Sequence, residues 1–150
     1  MSLKQWLDNG WLRQHKTSQQ EIANLLALVH RDLRDASSDG ISADWRFGIA
    51  YNAALKLCTI LLYVSGYRPS QNLAHYRTLQ ALPLVLGTDR NQDADYLDSC
   101  RIKRNAVEYD YVGGATEADA NELVEFTTDL SSDVLHWLKR NHSSLLPDGG

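Results

Sequence analysis

The sequence is poor in residues that interrupt helices. It contains 9 glycines and 3 prolines in 150 residues, and no segment of useful length shows the apolar–polar alternation of a half-buried strand. Long helices with short connections are therefore favoured over many short strands. The length fits a single domain, and a hydrophobic content of 43% is enough for a proper core.

Residue patterns typical of metal, redox and cofactor sites are also absent. The two cysteines, Cys58 and Cys100, match neither a zinc-site spacing nor a CxxC motif. The histidines form no i, i+4 pair and no HExxH motif, so the sequence predicts no metal site. It has no Walker loop, GxGxxG or GxSxG motif, and we therefore expect no cofactor.

Positive charge is not in excess either. Lysine and arginine total 15 against 19 acidic residues, for a net charge of −4. This balance argues against a basic surface over the whole chain but allows a local nucleic-acid contact. The N-terminus lacks the apolar core of a signal peptide, and the apolar run 55–64, interrupted by Lys56 and Thr59, is too short for a bilayer. We expect a cytoplasmic protein without membrane contact.

Helical periodicity predicts an all-α, up-and-down bundle of about five helices. A short helix over about 3–10 precedes a main bundle over about 18–141, with helices expected at 18–37, 42–66, 70–86, 91–111 and 116–141. Pro83 predicts a kink or an early end in the third of these. We expect one domain over 1–142 and a flexible tail over 143–150. The expected core includes Ile22, Leu26, Tyr51, Cys58, Leu61, Leu123, Leu130 and Trp137.

Two capping boxes support the helix starts. Ser18-Gln-Gln-Glu21 precedes the first long helix, and Thr116-Glu-Ala-Asp119 opens the last one. In such a box the hydroxyl accepts the N–H of the acidic residue, whose side chain reaches back to the cap.

A basic and phenolic cluster occupies the end of the fourth helix. Three cations fall within four residues, and at about 100° per residue Tyr111 shares a stripe with Arg104. The ordinary explanation is an Arg104–Glu108 surface pair with cations that complement the helix dipole. The functional explanation is a phosphate site formed by Arg101, Lys103, Arg104, Asn105 and Tyr111.

A second polar segment contains His75, Tyr76 and Arg77. The ordinary explanation is that His75 and Arg77 lie on an exposed face while Tyr76 packs inward. The functional explanation is a pocket for an anionic group, and we therefore include His75 and Arg77 among the candidate ligand-binding residues.

The string RNAVEYDY at 104–111 resembles the RNxxxHxY motif of the HEPN superfamily, the higher eukaryote and prokaryote nucleotide-binding domains. The strings DWRFGIAYNAA at 44–54, SGYR at 65–68 and HYRTL at 75–79 are similar to small stand-alone bacterial members, and the resemblance covers about 18–140. It implies a helical bundle that often dimerises. Many members are metal-independent ribonucleases of toxin–antitoxin and defence systems, and others bind nucleotides or pair with small nucleotidyltransferases.

The chain departs from this motif at one position, because Tyr109 stands where the resemblance implies a catalytic histidine. A phenol with a pKa near 10 is a poor proton acceptor at neutral pH, whereas Arg104 can still bind a phosphate. We predict a homodimeric domain that binds a nucleotide, an RNA or a partner such as an antitoxin, with little or no catalysis. The alternatives are a metal-independent ribonuclease that uses Arg104 with Tyr109 or Tyr111, and a protein-interaction module without a ligand site.

Overall fold

The computed structural model describes residues 1–109 and 112–147, without the side chains of residues 108 and 109. In this part of the chain four long helices form a bundle, and three short helices and two short strands flank it. The elements are α1 Leu3–Asp8, β1 Leu12–Gln14, α2 Gln19–Ala36, α3 Ala43–Val64, β2 Tyr67–Pro69, α4 Ala74–Gln80, α5 Leu82–Leu86, α6 Asn91–Tyr109 and α7 Glu117–Asn141. The prediction of an all-α helical bundle is confirmed.

Helix α3 is the centre of the bundle and packs against α2, α7, α6 and α4. By length and composition alone, its 22 residues could cross a membrane, although the apolar run 55–64 within it is too short to do so. However, 61% of the most apolar window is buried inside the protein. A core helix of a soluble protein shows the same combination of apolar composition and burial.

The two strands were not predicted. Residues 12–14 and 67–69 pair antiparallel, with Arg13 opposite Arg68. Three-residue strands are too short to show alternation, and their pairing depends on the ends of α1 and α3 meeting in the fold. Leu12 buries its side chain with Trp6, Leu62 and Ala81 in a small apolar cluster beside the main core.

The expected third helix, over 70–86, is divided into two. Helix α4 ends at Gln80, and α5 begins at Leu82 with Pro83 in its first turn, so the predicted break at the proline is confirmed. Helix α4 also starts later than expected, at Ala74, after Leu73 adopts a left-handed conformation with φ +57°. This conformation is unfavourable for a leucine.

The capping predictions are confirmed for α7 and half confirmed for α2. Thr116 and Asp119 form the complete reciprocal box. Ser18 accepts the N–H of Glu21, but the Glu21 carboxylate instead accepts hydrogen bonds from Thr17 and the His15 ring, both at 2.7 Å. The carboxylate therefore joins the connection after β1 to the start of α2.

The core predictions hold with one correction. Trp137 is only half-buried, because its ring lies at the bundle edge beside the His142 ring. Regular structure extends into the first residues of the expected tail. Residues 143–145 form a 3-10 turn, Leu146 is buried, and its carbonyl accepts a hydrogen bond from the Gln19 side chain. The other expected core residues, Ile22, Leu26, Tyr51, Cys58, Leu61, Leu123 and Leu130, are buried.

Candidate functional site

A cleft of about 300 Å³ lies between the first half of α3 and the end of α6. We call it the Arg104 cleft. It combines one cation and one carboxylate with an amide, an indole ring, a hydroxyl and aliphatic side chains. Its lining residues are Ser42, Asp44, Trp45, Gly48, Ile49, Asn52, Arg104, Val107 and Val112.

One face of α3 forms a wall of this cleft. Trp45, Gly48 and Asn52 are three and seven residues apart and therefore share a helical face. Phe47, on the opposite side of the helix, is buried in the core, and Tyr51, whose ring lies near the Arg104 guanidinium, is buried as well. Ser42 fixes the start of the helix by accepting the N–H of Trp45 at 3.1 Å.

Arg104 crosses the cleft from α6 towards α3. Its Cγ lies 4.0 Å from the position that a Cβ at Gly48 would occupy. Its guanidinium carbon lies 5.8 Å from the centre of the Tyr51 ring, a cation–π distance. Tyr51 is 1% exposed, and burial raises the pKa of its hydroxyl to about 12, so a neutral phenol underlies the guanidinium.

The other two predicted cations of α6 are engaged with acidic side chains. Arg101 donates to Asp98 at 2.8 Å and lies over the Tyr76 ring at 5.7 Å. Lys103 pairs with Asp119 of α7 at 3.0 Å. Both are outside the set of residues that line the cleft, so the structure divides the predicted basic cluster.

The remaining predicted ligand-binding residues are also separated. Asn105 is exposed, and its side-chain oxygen lies 3.5 Å from the Arg104 guanidinium. Arg77 turns away from the cleft and stacks on Trp11, 3.9 Å from the ring centre. His75 lies near α6, where desolvation and the charges of Arg104 and Arg101 lower its pKa.

The side chains of the two candidate tyrosines are outside the part of the chain that the structure describes. Tyr111 and the side chain of Tyr109 are outside the described residues, and so is the side chain of Glu108 that was expected to pair with Arg104. Their parts in the site remain predictions.

Asp44 anchors the connection between α6 and α7 beside the cleft. Its carboxylate accepts the N–H groups of Gly113 at 2.6 Å and Ala115 at 3.0 Å. These two hydrogen bonds lower the pKa of Asp44 below its ordinary value of 3.8. Anchoring at 113 and 115 holds Val112 at the rim of the cleft.

The neighbouring Arg46 joins three helices below this rim. Its guanidinium donates to the Ala36 carbonyl at 2.7 Å, to Glu117 at 2.7 Å and to Asn121 at 2.6 Å. The start of α3 is therefore tied to the end of α2 and to the first turns of α7.

The segment 44–54 contributes residues to the cleft that were not among the predicted site residues. Trp45 is 64% exposed in the first turn of a mostly buried helix, and Asn52 places an amide on the same face. A tryptophan and an asparagine seven residues apart, on the side away from the Phe47–Tyr51–Ala54 stripe, were the available signal.

The described cleft offers binding groups. A guanidinium can donate two parallel hydrogen bonds to an oxyanion, an indole face can stack on a planar ring, and an amide both donates and accepts. Across residues 1–109 and 112–147 no group of three or more histidine, cysteine or acidic side chains is placed to hold a metal ion.

Three comparisons with known proteins gave no family for the chain. No family model, no curated protein and no solved structure matches it. The HEPN resemblance therefore rests on the motif residues and their order in the sequence.

Proposed function

We propose that this protein is a HEPN-like domain that binds a phosphate-bearing ligand in the Arg104 cleft and cleaves RNA poorly or not at all. One observation supports the binding site above the others. Arg104, the cation of the motif, lines the same cleft as the exposed Trp45 and the amide of Asn52. The segment 44–54 and residues Arg104 and Val107 of the motif string, distant in sequence, thus contribute to one site.

The chemistry of the cleft suits a phosphate with an attached organic group. The Arg104 guanidinium is charged at every physiological pH and can contact two phosphate oxygens at once. Apolar side chains from Ile49 and Val107 line the cleft beside it. Charge-assisted hydrogen bonds are stronger where apolar groups exclude water, so this setting favours binding.

We expect weak or absent catalysis because the motif lacks a side chain that accepts and donates protons near neutral pH. General acid–base catalysis needs a group that titrates near the working pH and contributes about 10²–10⁴-fold. Tyr109 replaces the histidine of the motif, and a phenol meets this need only with a strongly lowered pKa. The ribonuclease alternative would need another proton acceptor; His75, whose pKa is lowered by desolvation and by the charges of Arg104 and Arg101, is outside the set of residues that line the described cleft.

A metal-free assay on labelled single-stranded RNA separates these functions. The variants are Arg104→Gln, Tyr109→His and, as a control, Arg34→Gln, which changes an exposed arginine of α2. We expect weak RNA binding by wild type that Arg104→Gln abolishes and Arg34→Gln retains, with no cleavage. Cleavage by wild type that disappears in Arg104→Gln would establish the ribonuclease instead.

The same resemblance extends the proposal to a cytoplasmic homodimer that pairs with a small nucleotidyltransferase or an antitoxin. Exposed apolar side chains at Ile41, Trp45 and Val112 give the interaction-module alternative its own support. Light scattering over a tenfold dilution tests the dimer, and a monomer mass throughout would reject it. Phosphate-ligand binding that is unchanged in Arg104→Gln would remove the Arg104 cleft from both binding functions, and no phosphate-ligand binding by wild type would favour the interaction module.

A further inference from the structure

We infer that Trp45 is the base-stacking residue of the Arg104 cleft, and that the cleft holds one nucleotide, with its base on the indole face and its phosphate on Arg104. This inference rests on the proposed function, because it assumes that Arg104 binds the phosphate. It adds the residue that recognises the base and the size of the ligand.

The exposure of Trp45 sets it apart from the other tryptophans. Its side chain is 64% exposed, whereas Trp6 is buried and Trp11 and Trp137 are half-buried against neighbouring rings. The indole is nevertheless on a fixed support, since it belongs to the first turn of a helix that Ser42 caps. A large exposed aromatic side chain on a rigid element, next to a cation, is typical of a stacking platform.

The dimensions of the α3 wall suit one nucleotide. Seven helical residues separate Trp45 from Asn52, which corresponds to about 10 Å along the helix axis. Gly48 lies between them and has no side chain to fill the cleft, so Arg104 can approach from α6. The Asn52 amide, on the far side of Gly48 from Trp45, offers one donor and one acceptor to the sugar or phosphate of such a ligand.

Two observations favour a single nucleotide over a longer strand. A volume of about 300 Å³ is at the lower end for small-molecule sites, which run from about 300 to 1,000 Å³. A strand also needs several cations along its backbone. Among the described residues that line the cleft, however, Arg104 is the one cation, since Arg101 and Lys103 lie outside the lining.

Calorimetry with three probes tests the inference on the full chain. Adenosine 5′-monophosphate carries base and phosphate, ribose 5-phosphate lacks the base, and adenosine lacks the phosphate. We expect the monophosphate to bind wild type about tenfold more tightly than ribose 5-phosphate, the gain typical of one stacked base. In Trp45→Ala this ratio should fall to near one, and in Trp45→Phe part of it should remain.

The control variant is Ile102→Ala, which removes another exposed apolar side chain outside the cleft lining. It should leave the ratio unchanged, and circular dichroism should show wild-type folding for all three variants. A ratio that Trp45→Ala leaves unchanged would overturn the stacking role while phosphate binding through Arg104 stands. Tight binding of a short RNA without binding of the monophosphate would overturn the single-nucleotide ligand. Binding of none of these phosphate ligands to wild type would reject the proposed function itself.

Discussion

The two halves of α3 differ in composition and in surroundings: residues 43–53 include Asp44, Arg46 and Asn52, whereas residues 54–64 are almost continuously apolar apart from Lys56 and Thr59. In the second half, Leu57, Ile60 and Leu62 are fully buried, and Leu62 packs against Trp6 and Leu12 of the N-terminal segment. The first half buries one side against the core and leaves the other open to the Arg104 cleft. The comparison shows that the more polar half of the helix is the half that the fold leaves open, with Asp44 and Asn52 on the wall of the cleft.

Truncation in the covered half should have the largest effect. Leu61 is 1% exposed, and Leu61→Ala should lower the free energy of unfolding by about 2–5 kcal/mol, because a cavity is left in a packed region. Urea denaturation measures this loss, with the exposed Ile102→Ala as the control that should change little. An equal effect of both variants would contradict the placement of the core.

Filling the open half should abolish binding without comparable loss of stability. Gly48→Leu places three additional carbons beyond the Cβ position that already lies 4.0 Å from Arg104, so we expect it to block nucleotide binding. Gly48→Ala makes only an ordinary contact there and should keep binding while stabilising the helix by about 0.5–1 kcal/mol. Calorimetry and thermal unfolding separate the two effects. Wild-type binding by Gly48→Leu would show that the ligand site is elsewhere.

Low pH should weaken the hydrogen bonds by which Asp44 anchors the connection between α6 and α7 at the rim of the cleft. The folded-state pKa of Asp44 is depressed by the N–H groups of Gly113 and Ala115, so its anchoring contributes above the unfolded-state pKa and is lost as pH falls through the folded-state pKa. We expect Asp44→Asn to be less stable than wild type by about 1 kcal/mol near pH 7. This difference should shrink below about pH 4.

Urea denaturation from pH 3 to 7 checks this dependence. The control is Asp39→Asn, which changes an exposed acid in the connection between α2 and α3. A difference between wild type and Asp44→Asn that stayed constant over the whole range would argue against the ionised anchor.

The smallest effect on stability is expected for a change at Tyr51, whose ring lies beneath the cleft. The buried hydroxyl of Tyr51 has no hydrogen-bond partner among the described residues. Tyr51→Phe removes this group and keeps the ring under Arg104, so stability should stay the same or rise by up to about 1 kcal/mol. A loss of more than about 1 kcal/mol in thermal unfolding would indicate that the hydroxyl is bonded.

The same comparison explains how far the sequence could predict the structure. The core stripe of α3 through Tyr51, Cys58 and Leu61 repeats at helical spacing, so local pattern alone revealed it. The pairing of β1 with β2 joins segments more than fifty residues apart and left no local pattern. The burial of Leu146 likewise depends on contacts with the start of α2, and the sequence of the terminal segment does not predict these contacts.

For the site, the motif identified Arg104 but not its surroundings. The Arg101–Asp98 pair has i, i+3 spacing and was readable from the sequence. The Lys103–Asp119 pair joins two helices and was not. Trp45 and Asn52 belong to the site because α6 crosses the first half of α3, which is a tertiary property.

The most direct test follows the four indole N–H signals of ¹⁵N-labelled protein during a titration with adenosine 5′-monophosphate. Trp6 and Trp11 lie in the N-terminal segment, Trp137 lies on α7, and Trp45 alone among the four lines the described Arg104 cleft. We predict that the Trp45 signal shifts and saturates while the other three stay in place, and that the shift disappears in Arg104→Gln. A Trp45 signal that stays in place at saturating nucleotide, or shifts equally in Arg104→Gln, would contradict the account.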